Sequence, residues 1–146
     1  MGIGAVKSAA LVAVLLAACD LQPITGPVPT GTWGGPQGNL LVYADSATLD
    51  LPCAAGRIPT PLVADSAGRF DVAGFYAVQA GPISIDGAHW QTARYTGQRT
   101  DDHIQMTITV TFQSQPDPLH EPVVTDMVIG PLKFRRGLVE QFPRCV

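Results

Sequence analysis

The sequence predicts an all-β protein, a small antiparallel up-and-down β-barrel of about eight strands. The segment 102–112, DHIQMTITVTF, alternates strictly between apolar and polar residues, which is typical of a strand with one buried face. Shorter segments repeat this pattern at turn-bounded spacings, and 15 glycines and 13 prolines punctuate the chain. A two-sheet β-sandwich fits the same observations and is the alternative fold.

Eight segments are predicted as strands: residues 39–44, 48–52, 61–65, 69–78, 90–97, 102–112, 123–129 and 132–136. The repeated Ala-Asp-Ser-Ala at 44–47 and 64–67 predicts two hairpin turns, because Asp and Ser side chains bond the backbone two residues on. Residues 98–101 and the pair Gly130-Pro131 predict two further turns. Closing such a meander into a barrel removes its exposed edges and leaves room for side chains or one small ligand.

Residues 1–18 are predicted as an export signal. Lys7 precedes an apolar run over residues 9–18, which is shorter than the roughly 20 apolar residues that a membrane-spanning helix needs. The run ends in Leu16-Ala17-Ala18-Cys19, which resembles the lipobox of bacterial lipoproteins. In that family the chain is cut just before the cysteine, whose thiol receives a diacylglyceryl group, and the new N-terminus is usually acylated, typically with palmitate.

The resemblance implies that Cys19 is lipidated and holds the exported protein on a membrane of the bacterial cell envelope. It does not distinguish the inner membrane from the outer membrane. Residues 19–30 are predicted as the lipidated cysteine and a proline-rich tether, and residues 31–146 as a single β domain. The whole chain has nine basic and twelve acidic residues, and the signal carries none of the acidic ones. This acidic balance, without a basic stripe, argues against a nucleic-acid partner.

Three cysteines are present, and an odd number in an exported protein leaves one unpaired. If Cys19 carries lipid, Cys53 and Cys145 remain as one possible disulfide in an oxidising compartment. Two free buried thiols or a metal-binding pair are the alternatives. The metal reading is weak because the two cysteines belong to no CxxC motif and have no histidine nearby in sequence.

No catalytic or metal-binding constellation is visible in the sequence. The serines lack a GxSxG motif, and no HExxH or HxH pattern occurs. His89, His103 and His120 are far apart and lack the spacing of metal ligands. We therefore expect no catalytic residues, no metal and no cofactor, and an enzyme is the least favoured class of function.

Aromatic residues are the candidates for ligand binding. Gly31-Thr32-Trp33 resembles the start of lipocalins and avidin-type barrels, where the tryptophan closes one end of the barrel. Trp33, Trp90 and Tyr95 are predicted as ligand-lining residues at a barrel mouth, although side-chain packing explains each of them as well. Two functions follow: a carrier of a small apolar or aromatic ligand, and an envelope structural or protein-interaction module without a ligand.

A longer pattern covers nearly the whole mature chain. It consists of GTWGG at 31–35, CAAGRI at 53–58, GRFDVAG at 68–74, ARYTG at 93–97 and the terminal Cys145. This pattern resembles a group of uncharacterised small exported bacterial proteins. The resemblance implies a shared fold and the same disulfide, and it carries over no ligand or catalytic residue.

Overall fold

A computed structural model of the chain describes residues 24–79, 89–115, 117–143 and 145. Within these residues there are ten strands: β1 (Gly26–Pro27), β2 (Gly31–Gly35), β3 (Gly38–Val42), β4 (Ala47–Leu51), β5 (Ala54–Ile58), β6 (Val63–Ala64), β7 (Arg69–Val78), β8 (Gln91–Thr100), β9 (His103–Gln113) and β10 (Val124–Arg136). The predicted signal peptide and Cys19 lie outside the described residues. No helix in the described ranges has the length and apolar character needed to cross a bilayer.

Eight of the strands form a closed antiparallel barrel in the order β2-β3-β4-β5-β7-β8-β9-β10, and β10 closes it by pairing with β2. The predicted all-β up-and-down barrel is thus confirmed, and the alternative β-sandwich is not the fold. The predicted strand over residues 69–78 coincides with β7, and the alternating segment 102–112 matches β9 within one residue at each end.

The interior of the barrel is filled by the inward-facing side chains of these strands. Cross-strand partners lie on the same face of a sheet, and the register pairs Trp33 with Leu40 and Tyr95 with Ile108. The largest side chains with less than 2% exposure all belong to this interior: Trp33, Tyr95, Phe134, Leu40, Leu49, Ile58, Ile104, Met106, Ile108 and Val110. The polar residues of β9 that alternate with them, among them Thr107 and Thr109, face outward, as the sequence predicts.

Two barrel strands, β2 and β5, lie where the sequence predicts none, and both are rich in glycine. Glycine has a low strand propensity, so GTWGG and AAGRI lack the usual strand pattern. The glycines allow close packing instead. A methyl group on Gly35 would collide with the Lys133 carbonyl across the seam between β2 and β10, and one on Gly56 would collide with the Tyr95 hydroxyl.

One predicted hairpin is wrong, and another forms its turn without the predicted strand pairing. Gly130-Pro131 does not turn the chain between two strands, because residues 124–136 form one strand with a bulge between Ile129 and Leu132. Gly130 adopts a φ of 124°, which accommodates the extra residue there. The turn at 64–67 is present, and the Asp65 carboxylate accepts from the Ala67 N–H at 2.8 Å, as predicted. The segment predicted as a strand over 61–65 supplies only β6, which lies outside the barrel and pairs with β1.

The barrel has two ends, which we name by their turns. The proximal end carries the start of β2, the turn at 43–46, the turn at 101–102 and the end of β10, and the distal end carries the turns at 36–37 and 52–53. The β1–β6 ladder lies at the proximal end, where the Val28 N–H donates to the Leu62 carbonyl at 2.9 Å. Residues 24–30 and 61–64, which we call the proximal cap, bury Val28, Leu62 and Ala64 against the barrel.

The cap crosses the proximal opening of the barrel. The Trp33 indole, from β2, donates its Nε1–H to the Pro29 carbonyl at 3.1 Å, and the Arg99 guanidinium, from β8, donates from Nη1 to the Pro27 carbonyl at 3.4 Å. Since β2 and β8 stand on different sides of the barrel, the backbone between these two carbonyls spans the space between them. The second part of the predicted tether, from Gly26 onward, therefore packs on the domain.

The segment after β10, residues 137–143 and Cys145, runs back along the outside of the barrel, and we call it the strap. Gly34 leaves space for it, because a methyl group at that position would collide with the Leu138 carbonyl. Asn39 holds it with two hydrogen bonds: its Nδ2 donates to the Glu140 carbonyl at 2.7 Å, and its Oδ1 accepts from the Glu140 N–H at 2.9 Å. The strap thus covers β2 and β3 on its way to the distal end.

Candidate functional site

Trp33 and Tyr95, two of the predicted ligand-lining residues, have no exposed surface. A side chain with no exposed surface contacts neither solvent nor a cavity that admits a water molecule. Tyr95 also donates its hydroxyl to the Phe75 carbonyl at 2.6 Å, so its polar group is satisfied inside the protein. Both residues act as packing elements of the interior in this structure.

Trp90, the third predicted ligand-lining residue, is placed away from the other two. It lies just before β8, and the Arg57 guanidinium of β5 stacks on its ring, with Cζ 4.3 Å from the ring centroid. Arg57 is exposed and therefore faces outward from the barrel. The structure does not gather Trp33, Trp90 and Tyr95 around one space.

Open hollows do occur on the outside of the barrel, with volumes of about 310, 260 and 340 Å³. The first is lined by residues 30–32 and 41–44, among them Leu41, Val42 and Tyr43, and the other two mainly by polar residues of β7, β8, β9 and β10. Each is shallow, whereas ligand sites normally bury most of the ligand surface. These hollows do not favour the carrier of an apolar ligand.

The sulfur atoms of Cys53 and Cys145 lie within disulfide-bonding distance, and their Cα atoms are 5.1 Å apart. Cys53 lies in the turn between β4 and β5 at the distal end, and Cys145 is the last described residue of the strap. The pair therefore joins the far end of the strap to the barrel wall. A third cysteine, Cys19, lies outside the described residues.

The histidines are all exposed, and His103 lines the second of the open hollows. His103 contacts the Asp102 carboxylate at 2.7 Å, and His120 contacts Asp117 at 2.9 Å. The pKa of Asp117 is lowered, first by the Leu119 N–H and then by His120. In the described part of the chain, no three His, Cys, Asp or Glu side chains lie close enough together to hold a metal ion.

One edge of β10 lacks a strand partner over most of its length in the part of the chain that the structure describes. β10 pairs with β9 along its length, but with β2 only through Arg135 and Arg136. The part of β10 from Val124 to Gly130 extends past the short β2, and in the described residues no strand pairs with its other edge. The N–H and C=O groups along that edge have no strand partner among these residues, and such groups can pair with another chain.

Several apolar side chains of this free edge are exposed. Val128 is 66% exposed, Val124 57% and Met127 36%, and Val123 just before the strand is 64% exposed. Natural sheet edges are usually protected by lysine, proline or a short length. The edge segment has Pro122 and Pro131 only beyond its two ends and contains no lysine. We call residues 124–130 the open edge.

The open edge lies in acidic surroundings. Asp126 is its only charged residue, and Asp117 and Glu121 lie in the preceding loop, while residues 113–130 contain no lysine or arginine. Asp126 accepts a hydrogen bond from the Thr111 hydroxyl at 2.8 Å, which fixes its carboxylate on the outer face of the sheet. The local charge is negative.

A second unusual feature is a buried arginine at the proximal end. Arg99 is only 7% exposed, and its Nε has no hydrogen-bond partner among the described residues. Burial is the main cause that lowers its pKa, followed by the positive charge of Arg136. Neither feature was identified from the sequence: the edge depends on the length of β2 relative to β10, and the burial of Arg99 depends on the cap.

No protein-family model, curated protein or solved structure matches the chain.

Proposed function

We propose that the protein is an exported lipoprotein of the bacterial cell envelope, anchored to a membrane through Cys19, and that its barrel is a protein-interaction module. The lipobox LAAC supports the anchor. Since the cap begins at residue 24 and the Thr25 hydroxyl donates to the Asp65 carbonyl, residues 20–23 are left to connect the anchor to the domain. At about 3.1 Å per residue in an extended chain, they would reach about 12 Å, which keeps the proximal end near the bilayer.

The anchor predicts a specific effect of Cys19→Ser on maturation. A serine cannot receive the thioether-linked diacylglyceryl group, so the variant should incorporate no radiolabelled palmitate and should accumulate as the uncut precursor. Cys145→Ser is the matched control and should be labelled and cut like the wild type. A globomycin-type inhibitor of lipoprotein processing should likewise leave the wild-type precursor uncut. Normal maturation under either treatment would show that the anchor is wrong.

The open edge carries the proposal of an interaction module. An extended segment of another protein can add a strand to a free sheet edge, where backbone hydrogen bonds give affinity and alternate side chains give specificity. Within the described residues, the open edge offers a strand edge without a partner over 124–130, together with the exposed side chains of Val124 and Val128. The filled barrel interior supports this function over that of a ligand carrier, because Trp33 and Tyr95 contact no free space.

The surroundings define the chemistry of the partner. Val124 and Val128 face outward beside Asp126, so a paired strand would place alternate apolar residues against the valines and a basic residue near the carboxylate. Asp117 and Glu121 add negative charge where the partner strand would continue. The partner is therefore an extended, net-positive segment of another envelope protein, with apolar residues at every second position.

A photo-crosslinking amino acid at residue 128 of the full-length protein, expressed in its own host, tests the partner. We expect one discrete adduct, whose crosslinked peptide is an alternating apolar and basic segment of another protein. Thr109 is the matched control position, because it is the cross-strand neighbour of Val128 on the same outer face but lies away from the edge. An adduct with twice the mass of the chain would identify a second copy and would overturn the proposal, as would equal adducts from both positions.

A peptide with the identified sequence should then bind the purified protein, and Val128→Lys should weaken that binding about tenfold or more. Lysine on the edge adds like charge opposite a basic partner and removes apolar contact. Thr109→Lys carries the same added charge away from the edge and should bind nearly as the wild type. Unchanged binding by Val128→Lys would rule out the open edge as the docking site.

A further inference from the structure

The proximal opening contains two inward-facing arginines. Arg99, on β8, is the register partner of the buried Ile104, and Arg136, at the end of β10, is the register partner of the buried Trp33. Residues paired across a sheet share a face, so both guanidinium groups approach the opening from the inside of the barrel wall. They are close enough for the charge of Arg136 to lower the pKa of Arg99.

The buried guanidinium lacks acceptors. A guanidinium group has five N–H donors, and within the described residues that of Arg99 donates one hydrogen bond, of 3.4 Å, to the Pro27 carbonyl. Its Nε is buried without a partner. The carboxylate of Asp101 has a smaller effect on Arg99 than the charge of Arg136 has. The Arg99 Nε–H and the two guanidinium groups therefore have fewer acceptors than they can use. An oxyanion would supply the missing acceptors.

We propose that Arg99 and Arg136 bind a phosphate group at the proximal end of the barrel. Guanidinium groups match the geometry of phosphate oxygens with paired N–H donors, and two of them neutralise a doubly charged anion. The anion would bind beside the cap, where the Pro27 carbonyl already accepts a hydrogen bond from Nη1 of the Arg99 guanidinium.

Two sources can supply this phosphate: free inorganic phosphate, and the headgroup of a phospholipid. Residues 24–30 of the cap lead directly back toward Cys19, so an anchored protein would hold its proximal end next to the headgroup layer. The open edge extends toward the distal end and would then face away from the bilayer. Binding of the headgroup would fix this orientation, whereas binding of free phosphate would not.

Trp33 is a built-in reporter of the site, because it is the register partner of Arg136. In the full-length Trp90→Phe protein, purified in a non-ionic detergent, Trp33 is the single tryptophan. Inorganic phosphate, added at constant ionic strength against chloride, should shift its fluorescence in a saturable manner. Arg136→Gln and Arg99→Gln should each raise the half-saturating concentration about tenfold or more.

Lys133→Gln is the matched control. It removes the same charge from the same strand, but Lys133 pairs with the exposed Gln105 and faces outward. It should respond to phosphate like the wild type. If Arg99→Gln fails to fold, Arg136→Gln and Arg99→Lys still test the site, because Arg136 is exposed and lysine keeps the charge. The proposal is overturned if phosphate causes no shift, if chloride reproduces it, or if Lys133→Gln loses it as fully as Arg136→Gln does.

A second arm separates the two sources. The lipidated Trp90→Phe protein is kept in micelles of a non-ionic detergent, which contain no phosphate, or inserted into phospholipid vesicles. If the headgroup is the ligand, Trp33 emission is already shifted in the vesicles relative to the micelles, added phosphate causes no further change in the vesicles, and Arg136→Gln abolishes the difference between vesicles and micelles. If free phosphate is the ligand, vesicles and micelles give the same starting emission and the same response to phosphate. An absence of any response in both contradicts the site itself.

Discussion

Replacing both Cys53 and Cys145 by alanine is expected to lower the free energy of unfolding by about 4–5 kcal/mol. The two cysteines are 92 residues apart. In the chain-entropy model, a cross-link that closes a loop of this size lowers the conformational entropy of the unfolded chain, and this destabilises the unfolded state by that free energy. The loop contains β5 to β10, so the cross-link restrains most of the barrel. Urea unfolding of oxidised wild type and of the double variant, followed by tryptophan fluorescence, measures the difference.

Asn39→Ala separates the covalent restraint from the contacts of the strap. It removes the two hydrogen bonds to Glu140 and leaves both cysteines in place, so its expected loss is about 1–3 kcal/mol. Wild type unfolded in the presence of a reductant should behave like the double cysteine variant. Two free thiols in the mature protein, found by non-reducing mass spectrometry, would contradict the cross-link, and a double variant as stable as wild type would contradict its contribution.

Tyr95→Ala is the second substitution with a large expected effect, a loss of about 3–5 kcal/mol from the cavity that it leaves in the barrel interior. The ring has no exposed surface and packs against Gly56 and Gly74, where the chain has no side chains to fill the space. Tyr95→Phe keeps the ring and removes only the hydrogen bond to Phe75, so its cost should be about 0.5–1.5 kcal/mol. Tyr43→Ala is the control for losing an exposed tyrosine.

Tyr95 should also make the free energy of unfolding fall as the pH becomes alkaline. Burial raises the pKa of Tyr95 above its ordinary value, so the folded state favours the neutral phenol. This contribution is complete below about pH 10, where the phenol of the unfolded chain is also neutral, and is lost as pH rises above that value. Wild type should therefore lose stability above pH 10 more steeply than Tyr95→Phe. Burial also raises the pKa of Tyr76, so some slope should persist in the variant; equal slopes in both proteins would count against a role of Tyr95.

The barrel could be predicted from the sequence because its longest strands follow the period-two rule. In β9 the apolar residues all face a continuous interior, so alternation and burial agree. In β2 and β5, alternation and burial do not agree. Glycine occurs there because other groups come too close for a side chain, as the Tyr95 hydroxyl does at Gly56. A local pattern carries no record of a contact made by a residue 39 positions later in the chain.

The candidate sites were harder to predict for the same reason. Val128 looks like any half-buried strand residue in sequence, and only the shortness of β2 leaves it at a free edge. Gly130-Pro131 is a common turn dipeptide, yet here the chain continues through a bulge. Arg99 lies in a polar hairpin segment, and its burial comes from cap residues more than 70 positions earlier. Each site results from distant segments that meet.

The strap also determines how the barrel would carry a mechanical load. Tension between an anchor at Cys19 and a partner strand on β10 would act across the short seam in which Arg135 and Arg136 pair with β2. A seam of this length would unzip readily if the end of β10 were free. The strap bypasses the seam, because Asn39 and then Cys53 fasten the chain that follows β10 to the adjacent strands. The protein would hold tension with the disulfide intact and would yield at the seam once it is reduced.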